Sequence, residues 1–148
     1  MVKIIAYGQP IPKGSKKAFV NRKTGRAIIV DANAKTKPFA LNVAWAVRDA
    51  MVGRSPMPGA IGMRVCFNMQ RPKSLPKFVT HCIKKPDGDK LLRTIWDAVK
   101  QGGGYHDDSQ VVHCEMDKAY ACCVGSTMVA PGVTIEMWQI QDTDETQK

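Results

Sequence analysis

A run of alternating side chains at residues 61–69 constrains the fold of this chain more than any other feature. Large apolar residues stand at every odd position: Ile61, Met63, Val65, Phe67 and Met69. Because successive side chains of a β-strand point to opposite faces, the run predicts a strand with one continuous apolar face. We therefore expect a β-sheet that packs this face against other elements.

Five further strands and two helices are predicted around this run. Strands are expected at residues 2–7, 18–20, 26–30, 111–116 and 133–140, the second and third forming a hairpin about a glycine-containing turn. Helices are expected at residues 38–52 and 90–101, where apolar residues recur at intervals of three and four. The order predicts an α+β fold, with a small mixed β-sheet and two main helices packed on one face.

Three features of the helices carry expectations of their own. Trp45 lies on the apolar stripe of the first helix, so it is expected in the core rather than as a base-stacking platform. Asp89 precedes the second helix, where aspartate is a favoured N-cap. The triple glycine at 102–104 is expected to end that helix.

The length of 148 residues fits one domain, which we expect over residues 1–140 with a polar tail at 141–148. No apolar run approaches the ~20 residues that span a bilayer, and the N-terminal apolar stretch is too short for a secretory signal. We expect a cytoplasmic location and no membrane partner. The five cysteines include no C-x-x-C pair, which argues against a disulfide framework. Zinc held by Cys114, Cys122 and His81 or His113 is disfavoured for the same reason.

Positive charge is concentrated in the first 100 residues. They hold 20 of the 22 lysines and arginines and only five of the 13 acids. A surplus of this size indicates phosphate contacts, which dominate nucleic-acid affinity, although a solvated surface has the same composition. Candidate DNA contacts are Lys13, Lys16, Lys17, Arg22, Lys23 and Arg71.

Two tight acidic clusters interrupt this basic background. Asp87 and Asp89 flank a glycine, and Asp107 and Asp108 follow the triple glycine. Because neighbouring carboxylates repel each other, a divalent cation between them is the natural explanation. If the strand after Asp108 lies beside the start of the second helix, the clusters meet in an oxygen cage suited to Mg²⁺. Such an ion can activate water and stabilise the leaving oxygen of a phosphodiester.

Two further side chains could assist that chemistry. Arg93, one helical turn after Asp89, could hold a phosphate or balance transition-state charge. His106 could act as a general base, although a surface histidine in a turn is the alternative. Aspartate is also common in turns and at N-caps, so a purely structural role for each cluster stays open.

Several segments together resemble the RusA family of Holliday-junction resolvases. They are GQPIPKGS at 8–15, KPDGDKLLR at 85–93, WDA at 96–98, YHDDSQV at 105–111 and KAY at 118–120. The resemblance implies that Asp87, Asp89 and Asp108 are the catalytic metal-binding aspartates, with Asp107 as the acid beside the last. It also implies a homodimer that uses Mg²⁺, with Mn²⁺ as an alternative, to nick branched four-way DNA symmetrically in recombination and repair. A bacterial or phage-infected host cell is the implied setting.

Two positions depart from the family pattern. Arg93 stands where the family usually has a functional lysine, which keeps the charge but replaces a point charge by a planar fork. Lys90 replaces the usual asparagine and adds positive charge beside the aspartates. Neither change removes a carboxylate, so we expect activity to be retained.

Two other classes of function fit the same residues. A non-catalytic DNA-binding module would use the basic half alone, with the aspartates as caps and turns, and would bind DNA without cutting it. A metal-dependent phosphoesterase acting on small nucleotides would use the aspartates alone, but a small substrate needs few phosphate contacts.

Overall fold

The computed structural model describes residues 1–14, 16–31 and 33–143, without the side chains of Lys16, Val30 and Asp31. The elements are β1 (Val2–Tyr7), β2 (Lys16–Val20), β3 (Ala27–Asp31), α1 (Thr36–Ala50), β4 (Ala60–Met69), α2 (Gly88–Gln101), β5 (Val111–Tyr120) and β6 (Gly132–Ile140). A 3₁₀ turn at Asp108–Gln110 leads into β5. Residues 144–148 of the expected tail lie outside the described residues. The predicted α+β fold is confirmed.

Four strands form a mixed sheet in the order β1-β6-β4-β5. β6 is antiparallel to both of its neighbours, whereas β4 and β5 run parallel. Val65 of β4 is opposite Ile135 on one side and Met116 on the other. β2 and β3 form the predicted hairpin, which is a separate two-stranded antiparallel sheet.

One face of the sheet carries the core, as the alternation in residues 61–69 predicts. All five odd-numbered apolar residues of that run are buried. Their partners in the core include Phe39, Val43 and Val47 of α1 and Leu91, Ile95 and Val99 of α2. Each fully buried aliphatic side chain stabilises the fold by about 1.5–3 kcal/mol relative to exposure. Both helices therefore pack on this face, and α1 also contacts α2 and β1.

The boundaries of α2 match the prediction at one end only. The helix ends at Gln101, immediately before the triple glycine, and Gly103 has a φ of 83° that suits glycine. At the other end Asp87, not Asp89, occupies the N-cap position, so the N-cap prediction for Asp89 is wrong. The helix begins earlier because Gly88 is already helical and packs against β5: a Cβ on Gly88 would lie 2.4 Å from Cε of Met116.

The prediction that Trp45 lies in the core is also wrong. Its side chain is 61% exposed, and the Arg48 guanidinium lies 5.3 Å from the ring centroid. The buried stripe of α1 instead runs through Phe39, Val43 and Val47, at intervals of four. Trp45 is two positions from Val43 and Val47, so it faces away from that stripe.

Within the described residues, no helix is both long enough and apolar enough to cross a membrane.

Candidate functional site

The first acidic cluster lies at the N-terminus of α2. Asp87 is the N-cap, Asp89 is in the first turn, and both side chains are exposed. The positive end of the helix dipole stabilises carboxylates at such positions. Lys90 Nζ lies 3.4 Å from Oδ2 of Asp87. Across the described residues, Asp89 makes no side-chain hydrogen bond or ion pair, so its oxygens are available to a ligand.

A lysine on β5 holds the segment that leads to Asp87. Lys118 Nζ donates to the carbonyl oxygens of Lys84, at 2.8 Å, and Pro86, at 2.9 Å. The next contact along β5 is between Met116 and Gly88. The two contacts fix the position of Asp87 relative to the sheet.

The second cluster surrounds the 3₁₀ turn that opens β5. Asp107 caps this turn, and its carboxylate accepts hydrogen bonds from Lys100 Nζ at 2.5 Å and Ser109 Oγ at 2.6 Å. Because of the bond from Lys100, and then that from Ser109, the pKa of Asp107 is well below its usual range. Reciprocally, Asp107 raises the pKa of Lys100. Asp107 is therefore already satisfied by the protein.

Gln110 completes this turn. Its Oε1 accepts from the backbone N–H groups of His106 and Asp107 at 2.8 and 2.9 Å, which forms a capping box with Asp107. Its Nε2 donates to the carbonyl oxygens of Met57 and Gly59. The D-x-x-Q spacing is the sequence signal that could have identified this role.

Tyr105 lies beneath the second cluster. Its hydroxyl donates to the carbonyl oxygen of Trp96 in α2 at 2.8 Å, and the side chain is buried. Burial raises the pKa of Tyr105 above its usual range, and the carboxylates of Asp108 and Asp97 raise it further. Asp108 is half-buried, and within the described residues its carboxylate has no protein partner.

The acidic residues imply a metal ion. The two clusters offer the ligand atoms that such an ion prefers, but their side chains are not arranged around one point. Carboxylate oxygens are the ligands that Mg²⁺ prefers, and Asp89 and Asp108 are uncommitted. No three His, Cys, Asp or Glu side chains among the described residues lie close enough to share one ion. The first cluster packs against the middle of β5, while Asp107 is held at the last turn of α2. The expected cage is therefore not closed by the described residues, and the cysteines and histidines among them form no zinc site.

An open cavity of about 330 Å³ adjoins the first cluster. It is lined by Pro12, Lys85, Pro86, Asp87 and Lys90. Two lysines and one carboxylate thus border a space open to solvent, which suits an anionic ligand near Asp87.

The candidate DNA contacts occupy three kinds of position. Lys17, Arg22 and Lys23 are exposed on β2 and its hairpin turn. Lys13 Nζ lies 2.5 Å from Oδ2 of Asp97, and this ion pair connects the N-terminal segment to α2. Lys16 has no described side chain.

Two other basic candidates, Arg71 and Arg93, differ in whether they already bind other parts of the protein. Arg71 donates to the carbonyl oxygens of Leu75, Pro76 and Val79 and lies over the Tyr120 ring. Arg93 is exposed on α2, one turn after Asp89, and His106 is exposed in its turn. Sequence reasoning assigned no role to the supporting residues Lys100, Lys118 and Tyr105. Lys118 and Tyr105 did carry a signal, as parts of the KAY and YHDDSQV segments, whereas Lys100 carried none.

A basic α+β domain with uncommitted carboxylates beside lysines has the features of an enzyme that acts on a polyanion. The family model described as endodeoxyribonuclease RusA matches residues 8–136 of the chain. The chain belongs to the RusA family, whose members are metal-dependent endodeoxyribonucleases that resolve Holliday junctions. A search of curated proteins finds no match.

Proposed function

We propose that this protein is a Mg²⁺-dependent, structure-selective endodeoxyribonuclease that resolves four-way DNA junctions by paired symmetric nicks. It acts as a homodimer on DNA in the cytoplasm of a bacterial or phage-infected cell. The observation that carries the proposal is the pair of uncommitted carboxylates, Asp89 and Asp108, within the segments that resemble the family.

The aspartates have distinct roles in this proposal. Asp87, Asp89 and Asp108 are the candidate residues that would hold the metal, although in this structure no three such side chains among the described residues lie close enough to share one ion. Asp107 stands beside Asp108 as the acid that fixes the turn carrying it. Lys90 neutralises Asp87 when no metal is bound, since its ammonium lies 3.4 Å from that carboxylate. Mn²⁺ offers the same hard coordination chemistry and is expected to substitute for Mg²⁺.

The bound metal would supply an activated water and stabilise the leaving oxygen of the phosphodiester. The residues of the chain do the rest. Arg93 presents a guanidinium one turn from Asp89, where its planar fork can hold two phosphate oxygens. Lys17, Arg22 and Lys23 bind backbone phosphates at a distance from the cut, and Lys16 stays a candidate for the same role. Lys13 and Arg71 are the weaker candidates, because the protein already pairs them.

A dimer follows from the symmetry of the substrate. A four-way junction with two-fold symmetry presents two equivalent strands, and a two-fold enzyme brings one site to each. Paired nicks therefore need two active copies.

The test is cleavage of an end-labelled four-way junction with Mg²⁺, Mn²⁺ or a chelator, comparing wild type with Asp89→Asn. We expect paired nicks that need the metal, and a loss of at least about 100-fold in Asp89→Asn with junction binding retained. Asp49→Asn, an exposed carboxylate of α1, is the matched control and should cut like wild type.

Two results would contradict the proposal. Cleavage by Asp89→Asn at the wild-type rate would remove Asp89 from the site. Tight, salt-sensitive junction binding without metal-dependent nicks would instead indicate the DNA-binding module.

A further inference from the structure

We propose that Phe78 stacks on a base at the branch point of the DNA and thereby makes the protein bind branched DNA more tightly than continuous duplex. Phe78 lies in residues 71–85, called the Phe78 loop below, which connect β4 to the first acidic cluster. DNA as the substrate rests on the proposed function, whereas the role of Phe78 rests on the loop itself.

The Phe78 loop is folded around one arginine. The guanidinium of Arg71 donates to the carbonyl oxygens of Leu75, Pro76 and Val79 at 3.1, 2.8 and 3.0 Å. The backbone N–H of Leu75 donates to the carbonyl oxygen of Pro72, and that of Val79 donates to Pro76. The backbone is therefore held on both sides of Phe78.

The Phe78 loop is also attached to the end of β5. His81 forms a β-bridge with Ala119, and Lys118 Nζ donates to the carbonyl oxygen of Lys84 at 2.8 Å. The same lysine fixes the segment that leads to Asp87. One strand thus positions both the Phe78 loop and the first acidic cluster.

The apolar side chains of the Phe78 loop divide into two inward and two outward residues. Leu75 and Cys82 pack against the hydrophobic core, whereas Phe78 and Ile83 are each 84% exposed. Single exposed apolar side chains are common on protein surfaces and carry no inference by themselves. Phe78 differs because the hydrogen bonds around it fix its backbone, so the ring is held in solvent where a partner can cover it.

The charge of the Phe78 loop indicates which partner covers the ring. Residues 71–85 contain five lysines and arginines and no aspartate or glutamate. Arg71 is turned inward, but the other four cations are exposed and form no ion pair with any described residue: Lys73, Lys77, Lys84 and Lys85. Uncompensated lysines around an aromatic ring fit a polyanion that also offers flat apolar faces, which is the chemistry of a nucleic acid.

A branch point is the part of DNA where such a ring is covered at the lowest cost. In continuous duplex each base is stacked on both sides, so an inserted side chain must first unstack a base step. Where four arms meet, this stacking is already interrupted, and an aromatic side chain can replace the missing neighbour of a base. Because the Phe78 loop leads directly to Asp87, DNA bound at the first acidic cluster also reaches the loop.

The first test compares the affinities for two DNA probes by fluorescence anisotropy. The probes are a labelled four-way junction and a labelled linear duplex of the same arm sequence, and Asp89→Asn with Mg²⁺ is the background, so that neither probe is cut. Phe78→Ala should raise the dissociation constant of the junction by about tenfold and leave that of the duplex within about twofold.

Two control variants separate stacking from other effects. Val129→Ala truncates an apolar side chain that is also 84% exposed, in another loop, and should change neither affinity. Lys77→Ala removes a charge next to Phe78 and should weaken the binding of both probes alike, because phosphates occur in both.

The second test places a fluorescent reporter at the same position. Phe78→Trp should keep the preference for the junction, and the fluorescence of the added indole should be quenched by the junction and not by the duplex. The wild-type protein, with its three tryptophans, supplies the baseline that is subtracted. A purely structural role of Phe78 would not produce this quenching.

The outcomes distinguish the role of Phe78 from the proposed function. Unchanged junction affinity in Phe78→Ala, or an equal loss for both probes, overturns the stacking role and leaves the nuclease intact. Self-association that is lost in Phe78→Ala while junction affinity stays unchanged assigns the ring to a protein surface instead. Junction preference that depends on Phe78 in a protein whose wild type does not cut junctions supports the stacking role while refuting the proposed activity. Absence of DNA binding refutes both.

Discussion

The ammonium group of Lys100 lies 2.5 Å from a carboxylate oxygen of Asp107. The contact joins the last turn of α2 to the turn that opens β5. The two aspartates of the second cluster therefore differ in availability. Lys100 and Ser109 hold the carboxylate of Asp107, whereas the carboxylate of Asp108 has no partner among the described residues and is free to bind a ligand.

Replacing Asp107 with asparagine should remove part of the acid sensitivity of the fold. The pKa of Asp107 in the folded protein is below the unfolded value of about 3.9, so its ionisation stabilises the fold above about pH 4, and this stability is lost as the pH falls. Urea unfolding between about pH 3 and pH 7 measures the free energy of unfolding as a function of pH. On acidification this free energy should fall less steeply for Asp107→Asn than for wild type, and we call this acidic part of the curve the acid limb. Asp142→Asn, an exposed control, should keep the wild-type limb. Equal limbs in both variants would contradict the assignment.

Tyr105 should make the fold sensitive to alkali. Its pKa is raised by burial above the usual value of about 10, so the unfolded chain ionises first and stability falls as the pH rises through that value. Tyr105→Phe should cost about 1 kcal/mol at neutral pH through the lost bond to Trp96 and should flatten the alkaline limb. Urea unfolding between about pH 8 and pH 11 measures both effects. Tyr7→Phe, at a 65% exposed tyrosine, is the control, and an unchanged limb in Tyr105→Phe would refute the prediction.

Lys118 is expected to act as a positioning residue for Asp87. Lys118→Met removes two hydrogen bonds to loop carbonyls and should lower the free energy of unfolding by about 2 kcal/mol. If the proposed function holds, junction cleavage should fall by on the order of tenfold to 100-fold, since small misplacements of a reacting group are costly. Lys118→Arg should recover part of both.

The matched control for this loop is Lys84→Met. Lys84 contributes its carbonyl oxygen, not its side chain, to the contact with Lys118, so the substitution removes a charge while keeping the anchor. Cleavage that falls equally in Lys84→Met and Lys118→Met would indicate lost positive charge rather than lost positioning.

Truncating the two large aromatic residues of α1 should have very different costs. Phe39→Ala, at a buried side chain, should lower the free energy of unfolding by about 3–5 kcal/mol. Trp45→Ala should cost less than about 1 kcal/mol, the value of its contact with Arg48. Thermal or urea unfolding of the two variants measures both losses. Similar decreases in the free energy of unfolding would mean that Trp45 is a core residue.

Local patterns in the sequence predicted the strands well because each has a clear period. The run at 61–69 became β4, one residue longer, and the hairpin and both helices lie where expected. β5 was predicted to end at residue 116 but continues to Tyr120, because β4 pairs with it as far as Met69. Pairing between distant strands leaves no trace in the sequence of either strand alone.

The candidate site was less predictable because it depends on contacts over long distances in the chain. The four aspartates could be named from their spacing and from the family resemblance. The protein partners of the charged side chains could not be predicted. Asp107 is held by Lys100, and Lys13, which was expected to contact DNA, is paired with Asp97. Such pairs join side chains from different elements, and only the packing of α2 against its neighbours brings them together.

The position of β6 has a consequence for synthesis of the protein. It is the last described strand in chain order, yet it lies between β1 and β4 and pairs with both. β1 and β4 leave the ribosome without their shared neighbour, so the sheet closes only after residues up to 140 have been made. Long-range strand pairing of this kind is slow and leaves apolar edges exposed meanwhile. A ribosome that stalls before residue 132 therefore releases a chain that cannot complete the sheet behind the candidate site, and an incomplete copy is not a nuclease.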